Sequence, residues 1–125
     1  MPGRQTVLII ENDQPTSRLY ERVLQAEYEV VLATLDDDVL SLIKASHVDA
    51  VVLEPGSMEG QGWSLLSDLK NSPDLRAVPV VLCTVQDERR RGQELGSAAY
   101  LVKPVLPTTL LATLRRLTFH ISGPA

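Results

Sequence analysis

Four short polar stretches of the sequence carry residue types that could bind a cation together with an oxyanion. They are Glu11 with Asn12, Glu54 with Gly56, Thr84, and Lys103. Carboxylate and amide oxygens are ligands that Mg²⁺ prefers, whereas a Thr hydroxyl and a Lys ammonium donate hydrogen bonds to phosphoryl oxygens. Together, these residue types indicate a site where a magnesium ion and a phosphoryl group could meet.

Each of these stretches lies at the carboxyl end of an apolar run that predicts a β-strand. The runs are rich in β-branched residues and too short to predict helices; they cover residues 6–10, 29–33, 49–53, 79–84 and 99–102. Amphipathic spacing predicts helices between and after them, at residues 15–26, 37–46, 62–71, 87–95 and 107–118. The fourth helix ends before Gly96, where a left-handed C-cap would fit.

Strands and helices alternate five times, which predicts right-handed crossovers and a parallel sheet covered on both faces. We therefore expect a doubly wound α/β fold, with residues 1–125 forming one domain. Its core is predicted to cover about 6–118, and 1–5 and 119–125 are expected to be loose ends. In such a sheet the ligand site lies beyond the carboxyl ends of the strands.

Composition narrows the class of protein. The 125 residues include 12 Lys and Arg and 16 Asp and Glu, giving a net charge of −4, so direct nucleic-acid binding is disfavoured. A single cysteine, Cys83, excludes an internal disulfide and is interpreted as a core residue. The sequence has no apolar span of about 20 residues that would predict membrane insertion, and we expect a cytoplasmic protein. We assign no role to His47 and His120.

The motifs VLIIEND at 7–13, VDAVVLEPGSMEGQG at 48–62, PVVLCT at 79–84 and ELGSAAYLVKP at 94–104 occur in a familiar order. Over nearly its whole length the sequence resembles a bacterial response-regulator receiver domain, which has a flavodoxin-like fold. The resemblance implies five parallel strands in the order 2-1-3-4-5. It also implies a role in two-component, or phosphorelay, signalling, with a histidine kinase or another signalling protein as partner and no enzymatic activity of its own.

The resemblance also assigns roles to individual residues. The Mg²⁺ ligands fall on Glu11, Asn12, Glu54 and Gly56, and the position of the phosphate-accepting Asp falls on Glu54. Thr84 and Lys103 would contact the phosphoryl group, and Tyr100 would rearrange on activation. A cis Lys103–Pro104 peptide bond is also implied.

Three features depart from the usual receiver pattern. Asn12 stands where a second acid is usual, and Glu54 stands where the phosphoacceptor Asp is usual. The segment from Thr84 to Lys103 is about one helical turn shorter than in most receivers, which resembles receivers of hybrid sensor kinases. Because Asn12 is neutral, we expect a weakened Mg²⁺ site at most, and no other cofactor.

The longer side chain of Glu54 changes what this position can do. One extra methylene displaces the carboxylate by up to ~1.5 Å, and a misplacement of ~1 Å can slow a positioned reaction by about 10²-fold. Phosphorylation should therefore be poor. A fixed charge of −1 would imitate only in part the charge of about −1.5 to −2 that a phosphate adds, and an ion pair between Glu54 and Lys103 is predicted.

Three hypotheses remain open from the sequence. The first is a degenerate receiver, or pseudo-receiver, that binds partners without phosphorylation; the second is a receiver phosphorylated despite Glu54. The third, a small α/β enzyme or nucleotide binder, is disfavoured because no Gly-rich phosphate loop follows the first strand.

The resemblance places the output surface on the last helix, the last strand and the preceding helix. These segments are Asp87–Leu95, Ala99–Val102 and Pro107–Thr118, and a homodimer through residues 87–118 is one expected use of them. The run Arg89–Arg91 fits either a partner patch or a solvated helix face. Tyr100 fits either core packing or a partner-facing switch, whereas Trp63 is predicted to serve in helix packing rather than as a binding platform.

Overall fold

The computed structural model describes residues 3–56, 60–85 and 89–119. Within these ranges, strands and helices alternate along the chain. In order they are β1 (Thr6–Ile10), α1 (Gln14–Leu24), β2 (Glu29–Ala33), α2 (Val39–Ser46), β3 (Ala50–Leu53), α3 (Gln61–Asn71), β4 (Val80–Thr84), α4 (Arg89–Glu94), β5 (Ala99–Val102) and α5 (Pro107–Phe119).

The five strands form one parallel sheet in the order β2-β1-β3-β4-β5, which confirms the predicted fold. Its register brings two acids to the same edge. Ile10 pairs with Ala33 on one side and with Leu53 on the other, and the amide of Glu54 donates to the Ile10 carbonyl at 3.0 Å. Glu11 and Glu54 therefore leave neighbouring strands at the same level.

Apolar residues on the two faces of the sheet form two cores. Helices α2, α3 and α4 cover one face, where the side chains of Leu8, Val51 and Leu66 are buried. Helices α1 and α5 cover the other face over Val7 and Ile9. Burial on both faces explains why β1, β3 and β4 read as continuous apolar runs rather than alternating ones.

Polar residues set the ends of several elements and correct the predicted bounds. Strand β3 begins one residue later than predicted, at Ala50; the Asp49 carboxylate before it accepts a hydrogen bond from the Thr6 amide at 2.8 Å. Strand β4 begins after Pro79, which has no amide hydrogen to donate to a neighbouring strand. Helix α2 begins at Val39 rather than at residue 37, because the Asp38 side chain is its N-cap.

Helical spacing places Leu19 on one face of α1 with Val23 and Leu24, but this expectation is wrong for Leu19: 45% of it is exposed and Tyr20 is buried instead. Within the segment 1–5, the Arg4 guanidinium donates to the Tyr28 carbonyl at 2.9 Å and the Gln5 side-chain amide donates to the Thr118 carbonyl at 3.3 Å.

The fourth helix was predicted over 87–95, and its first two residues lie outside the described part of the chain. The helix ends at Glu94, one residue before its predicted end. Gly96 adopts φ +93°, the left-handed conformation that favours glycine, as predicted for this position. Helix α5 runs one residue past its predicted end, to Phe119.

Candidate functional site

Glu11 lies directly after β1 and is only 5% exposed. One carboxylate oxygen, Oε2, accepts a hydrogen bond from the amide of Asp13 at 3.1 Å. The other, Oε1, accepts from the Lys103 ammonium at 2.6 Å. Both oxygens of this buried acid are therefore engaged by the loops that follow β1 and β5.

Glu54 lies directly after β3 and is held in the same manner. Its Oε2 accepts a hydrogen bond from the Gly56 amide at 2.9 Å, and its Oε1 lies 2.9 Å from Lys103 Nζ. The predicted ion pair between Glu54 and Lys103 is confirmed. Glu11 was not predicted to share the same ammonium.

Lys103 follows β5 and reaches back across β4 to both acids. The Lys103–Pro104 peptide is cis, as the resemblance implied. The side chains of Lys103, Glu11 and Glu54 are only 17%, 4% and 14% exposed. Burial lowers the pKa of Lys103, but the hydrogen bonds and charges of the two carboxylates outweigh that effect and raise the pKa above its ordinary value.

Asn12 lines the same edge, but its side-chain oxygen is engaged by another loop. Its side-chain oxygen Oδ1 accepts a hydrogen bond from the Leu35 amide at 3.1 Å, and the Leu35 carbonyl accepts one from Gln61 Nε2 at 2.9 Å. Asn12 thus joins the loop after β1 to the loop after β2 and to the first turn of α3. It was predicted as a metal ligand.

The predicted ligands fit a divalent cation poorly in this arrangement. An oxygen of Glu11 and an oxygen of Glu54 both hold the Lys103 ammonium, and the Asn12 oxygen holds the Leu35 amide. Among the residues that the structure describes, no three His, Cys, Asp or Glu side chains are grouped to hold a metal ion. A cation would have to compete with the ammonium for the carboxylates.

Thr84 ends β4 beside these charges and is 2% exposed. Its carbonyl accepts a hydrogen bond from the Lys103 amide at 2.8 Å. With Glu11, Glu54, Gly56 and Lys103 it lines a concavity of about 260 Å³. The fold therefore brings the predicted Thr, Lys and acidic residues together at one edge of the sheet.

Tyr100 lies one residue into β5, outside that concavity. Its ring packs against the core under α4, and the Arg89 guanidinium carbon lies 5.4 Å from the ring centre. A Cβ atom on Gly92 would lie 2.9 Å from both the Leu82 and the Tyr100 side chains. Gly92, which sequence reasoning did not single out, thus lets α4 approach the tyrosine closely.

Part of the arginine run stacks on aromatic rings, although Arg89 and Arg91 remain exposed. The Arg91 guanidinium carbon is 4.4 Å from the Trp63 ring centre, within the range of cation–π attraction. Trp63 is 4% exposed, which confirms its predicted packing. The exposure of Arg89 and Arg91 fits both predicted uses of the run, a partner patch and a solvated helix face.

Gly62 is a second residue that sequence reasoning missed. A Cβ atom there would lie 2.2 Å from the Pro55 carbonyl oxygen and 2.3 Å from the Pro55 Cα. These are backbone atoms, so no side-chain rotation can make room. The first turn of α3 can therefore rest on the loop that follows Glu54 only if this residue is glycine.

The remaining candidate residues have structural roles. Cys83 is 1% exposed, and burial raises the pKa of its thiol to about 12, so the predicted core position is confirmed. His47 follows α2 with φ 50° and is its left-handed C-cap. His120 lies outside the described residues.

The sheet order and the acid–lysine–threonine edge define a class, the flavodoxin-like α/β domains with a polar site at the carboxyl ends of their strands. The sequence model of the response regulator receiver domain matches residues 7–115. The chain belongs to this family. Its members are two-component signalling modules, generally not enzymes, that interact with histidine kinases and other signalling proteins and typically bind Mg²⁺ in an acidic pocket.

Known relatives and structures agree with this membership. The response regulator PleD of Caulobacter vibrioides is 32% identical over 90% of this chain, which spans only 26% of PleD. A crystal structure of a candidate response regulator from Chloroflexus aurantiacus matches with a TM-score of 0.82 at 26% identity, covering 90% of this chain and 96% of that one. The signal receiver domain of a histidine kinase from Syntrophus aciditrophicus shares the fold, with a TM-score of 0.83 at 22% identity, covering 97% and 95%.

None of the helices in the described part of the chain has the length and apolar character needed to cross a bilayer.

Proposed function

We propose that this chain is a degenerate receiver, in which Glu54 occupies the phosphoacceptor position and supplies a fixed negative charge. The observation that carries the proposal is the double engagement of the Glu54 carboxylate. Its Oε1 lies 2.9 Å from the Lys103 ammonium and its Oε2 accepts from the Gly56 amide at 2.9 Å. The carboxylate is thus already neutralised by groups that would otherwise meet an incoming phosphoryl group.

Charge at this edge further disfavours phosphorylation. Phosphoryl transfer depends on positioning and on neutralising negative charge. Here one ammonium is shared by two carboxylates, and Asn12 Oδ1 is bonded to the Leu35 amide. A magnesium ion therefore binds weakly, and the conformation of the domain does not depend on phosphate.

In this proposal the domain signals by binding other proteins. Its partner is a histidine kinase or another signalling protein in the cytoplasm, and it does not bind nucleic acid directly. The output surface comprises α4, β5 and α5, where Tyr100 packs beneath Arg89, and homodimers form through residues 87–118. Residues 6–118 act as one receiver unit of the kind found in hybrid sensor kinases.

The decisive experiment compares wild type, Glu54→Asp and Glu54→Gln after incubation with a small acyl phosphate and Mg²⁺, read by intact mass. We expect no phosphate on wild type, because its carboxylate is displaced and held by Lys103. The Glu54→Gln variant reports labelling at any other residue. The Glu54→Asp variant shows whether the rest of the site can still support the reaction.

A phosphate gained by wild type and lost in Glu54→Gln would contradict the proposal and establish a receiver phosphorylated at Glu54. Label on Glu54→Asp alone would place the defect at residue 54 only. If neither wild type nor Glu54→Asp were labelled, the loss of phosphorylation would extend to Asn12 and the other predicted cation ligands. Sedimentation of the unphosphorylated wild type then tests self-association, which the proposal expects without any phosphodonor.

A further inference from the structure

A groove of about 430 Å³ runs between α2 and α3 on the face of the sheet opposite α1 and α5. Its apolar part is formed by Leu35, Leu40 and Leu65, which are half-buried against the core. Its lining comprises the loop before α2, the first two residues of that helix and one face of α3 from Gln61 to Asp68. The groove therefore follows about two turns of α3, enough for side chains from successive turns of one partner helix.

The rim of the groove is negatively charged. Asp37, Asp38 and Asp68 line it, and none of its described lining residues is Lys, Arg or His. Asp37 and Asp38 are held by the Thr34 and Ser41 amides. Asp68 is exposed on α3. Leucines flanked by carboxylates that lack a cationic partner in the groove suit a ligand that is both apolar and basic.

The groove is connected to the acidic site by hydrogen bonds. Gln61 in its wall donates to the Leu35 carbonyl, and the Leu35 amide donates to Asn12. Asn12 is the residue next to Glu11. A segment bound against Leu35 and Gln61 would therefore contact a residue, Leu35, whose amide is hydrogen-bonded to the loop that carries the first acid of the site.

We propose that this groove binds an amphipathic helix of a partner protein, with Lys or Arg residues beside its apolar stripe. Helices commonly bind in grooves through apolar residues at i, i+3, i+4 and i+7, and complementary charge fixes their orientation. A second copy of this chain is a poorer match. Its net charge is −4, and its basic run lies on α4 (Arg89–Glu94), which has no large apolar residue to form a stripe.

The test uses a synthetic helical peptide of about four turns, with leucines along one stripe and lysines on both sides. It is titrated into ¹⁵N-labelled protein, and amide shifts are recorded by NMR. We expect saturable shifts centred on Leu35, Leu40 and Leu65. A matched peptide with glutamate in place of each lysine should not bind.

Two exposed charge reversals then test the location. Asp68→Lys should weaken binding of the lysine peptide about fivefold, as expected for an exposed charge pair. Glu94→Lys makes the same charge change on α4, outside the groove, and should leave the affinity within about twofold. Neither residue has a hydrogen bond or ion pair within the described ranges that folding would require.

Several results would overturn the proposal. They are no saturable binding of the lysine peptide, equal binding of the glutamate peptide, shifts centred on another face, or equal losses in Asp68→Lys and Glu94→Lys. Shifts at the groove that depend on protein concentration without peptide would instead identify a second copy as the occupant. None of these outcomes depends on whether Glu54 accepts phosphate.

Discussion

The acidic site at the ends of β1 and β3 and the groove between α2 and α3 both present carboxylates, but their charges are balanced differently. In the site, Glu11 and Glu54 are mostly buried and share the Lys103 ammonium. In the groove, Asp68 is exposed, and no cation lines the described part of the rim beside it. The site is closed by its own residues, whereas the groove remains open to a partner.

This difference indicates where a response could originate. Burial makes charge pairing necessary, because an unpaired charge in a poorly solvated place is costly. The Glu11–Lys103–Glu54 cluster therefore favours one arrangement strongly. Exposed carboxylates are solvated by water, so the stability of the fold depends little on whether they have a charged partner. Substitutions in the two regions should consequently differ in their effect on stability.

The two regions meet at Gly62, and the largest effect is expected there. In Gly62→Ala the added Cβ would lie 2.2 Å from the Pro55 carbonyl oxygen, so α3 must move away from the loop after Glu54. We expect a loss of about 3 kcal/mol in the free energy of unfolding, measured by urea denaturation. Ser64→Ala, an exposed change one half-turn further along α3, is the matched control and should stay within about 0.5 kcal/mol. A Gly62→Ala protein as stable as wild type would show that this contact is loose.

Lys103→Met should have the next largest effect. It leaves the buried carboxylates of Glu11 and Glu54 without their shared cation, which should cost about 2 kcal/mol, less than for a fully buried pair. Because the competing ammonium is gone, added Mg²⁺ should restore part of the loss by binding only the folded state. Lys44→Met, at an exposed position of α2, should change stability by less than about 0.5 kcal/mol. Equal losses in both variants would contradict the closed-site interpretation.

The pH dependence of stability gives a further test of the charge pairing in the acidic site. Lys103 has a raised pKa in the folded state, so the folded state binds the Lys103 proton more tightly than the unfolded chain does. Its contribution is fully present below the unfolded pKa of about 10.4 and is lost as pH rises through the folded value. The stability difference between wild type and Lys103→Met should therefore be constant from about pH 7 to 9 and shrink above about pH 10.4. Burial also raises the pKa of Tyr20 to about 12, and the charge of Lys103 opposes that rise, so Tyr20 adds to the difference between the two proteins only above about pH 10.

Much of this fold could be predicted because its signals are local. Bounds of three strands agree with the apolar runs, and the sheet order followed from the receiver resemblance. The ion pair between Glu54 and Lys103 was also predicted, because parallel strands bring their carboxyl ends to one edge. The functional roles of these side chains, in contrast, are assigned by resemblance alone.

The missed features depend on distances that sequence patterns do not encode. The sharing of Lys103 with Glu11 follows from the register of β1 against β3, and the Gly62 and Gly92 contacts follow from how closely helices approach neighbouring backbone and rings. In the sequence Asn12 looks like an ordinary loop residue, yet its side-chain oxygen accepts a hydrogen bond from the Leu35 amide. Leu19 matches the apolar spacing of α1 and yet is exposed, because helical spacing alone does not determine which of two adjacent positions faces the core.

The smallest effect, with the opposite sign, is expected for Asp68→Asn in the groove. Asp68 lies in the C-terminal half of α3, where a negative charge is unfavourable to the helix dipole. Removing it from a rim that already carries Asp37 and Asp38 should raise the free energy of unfolding by up to about 0.5 kcal/mol. Urea denaturation at low salt measures the gain, which should shrink at high ionic strength because exposed charges are screened. A loss of stability at either salt concentration would show that Asp68 is held by the fold, and the groove would then resemble the closed acidic site.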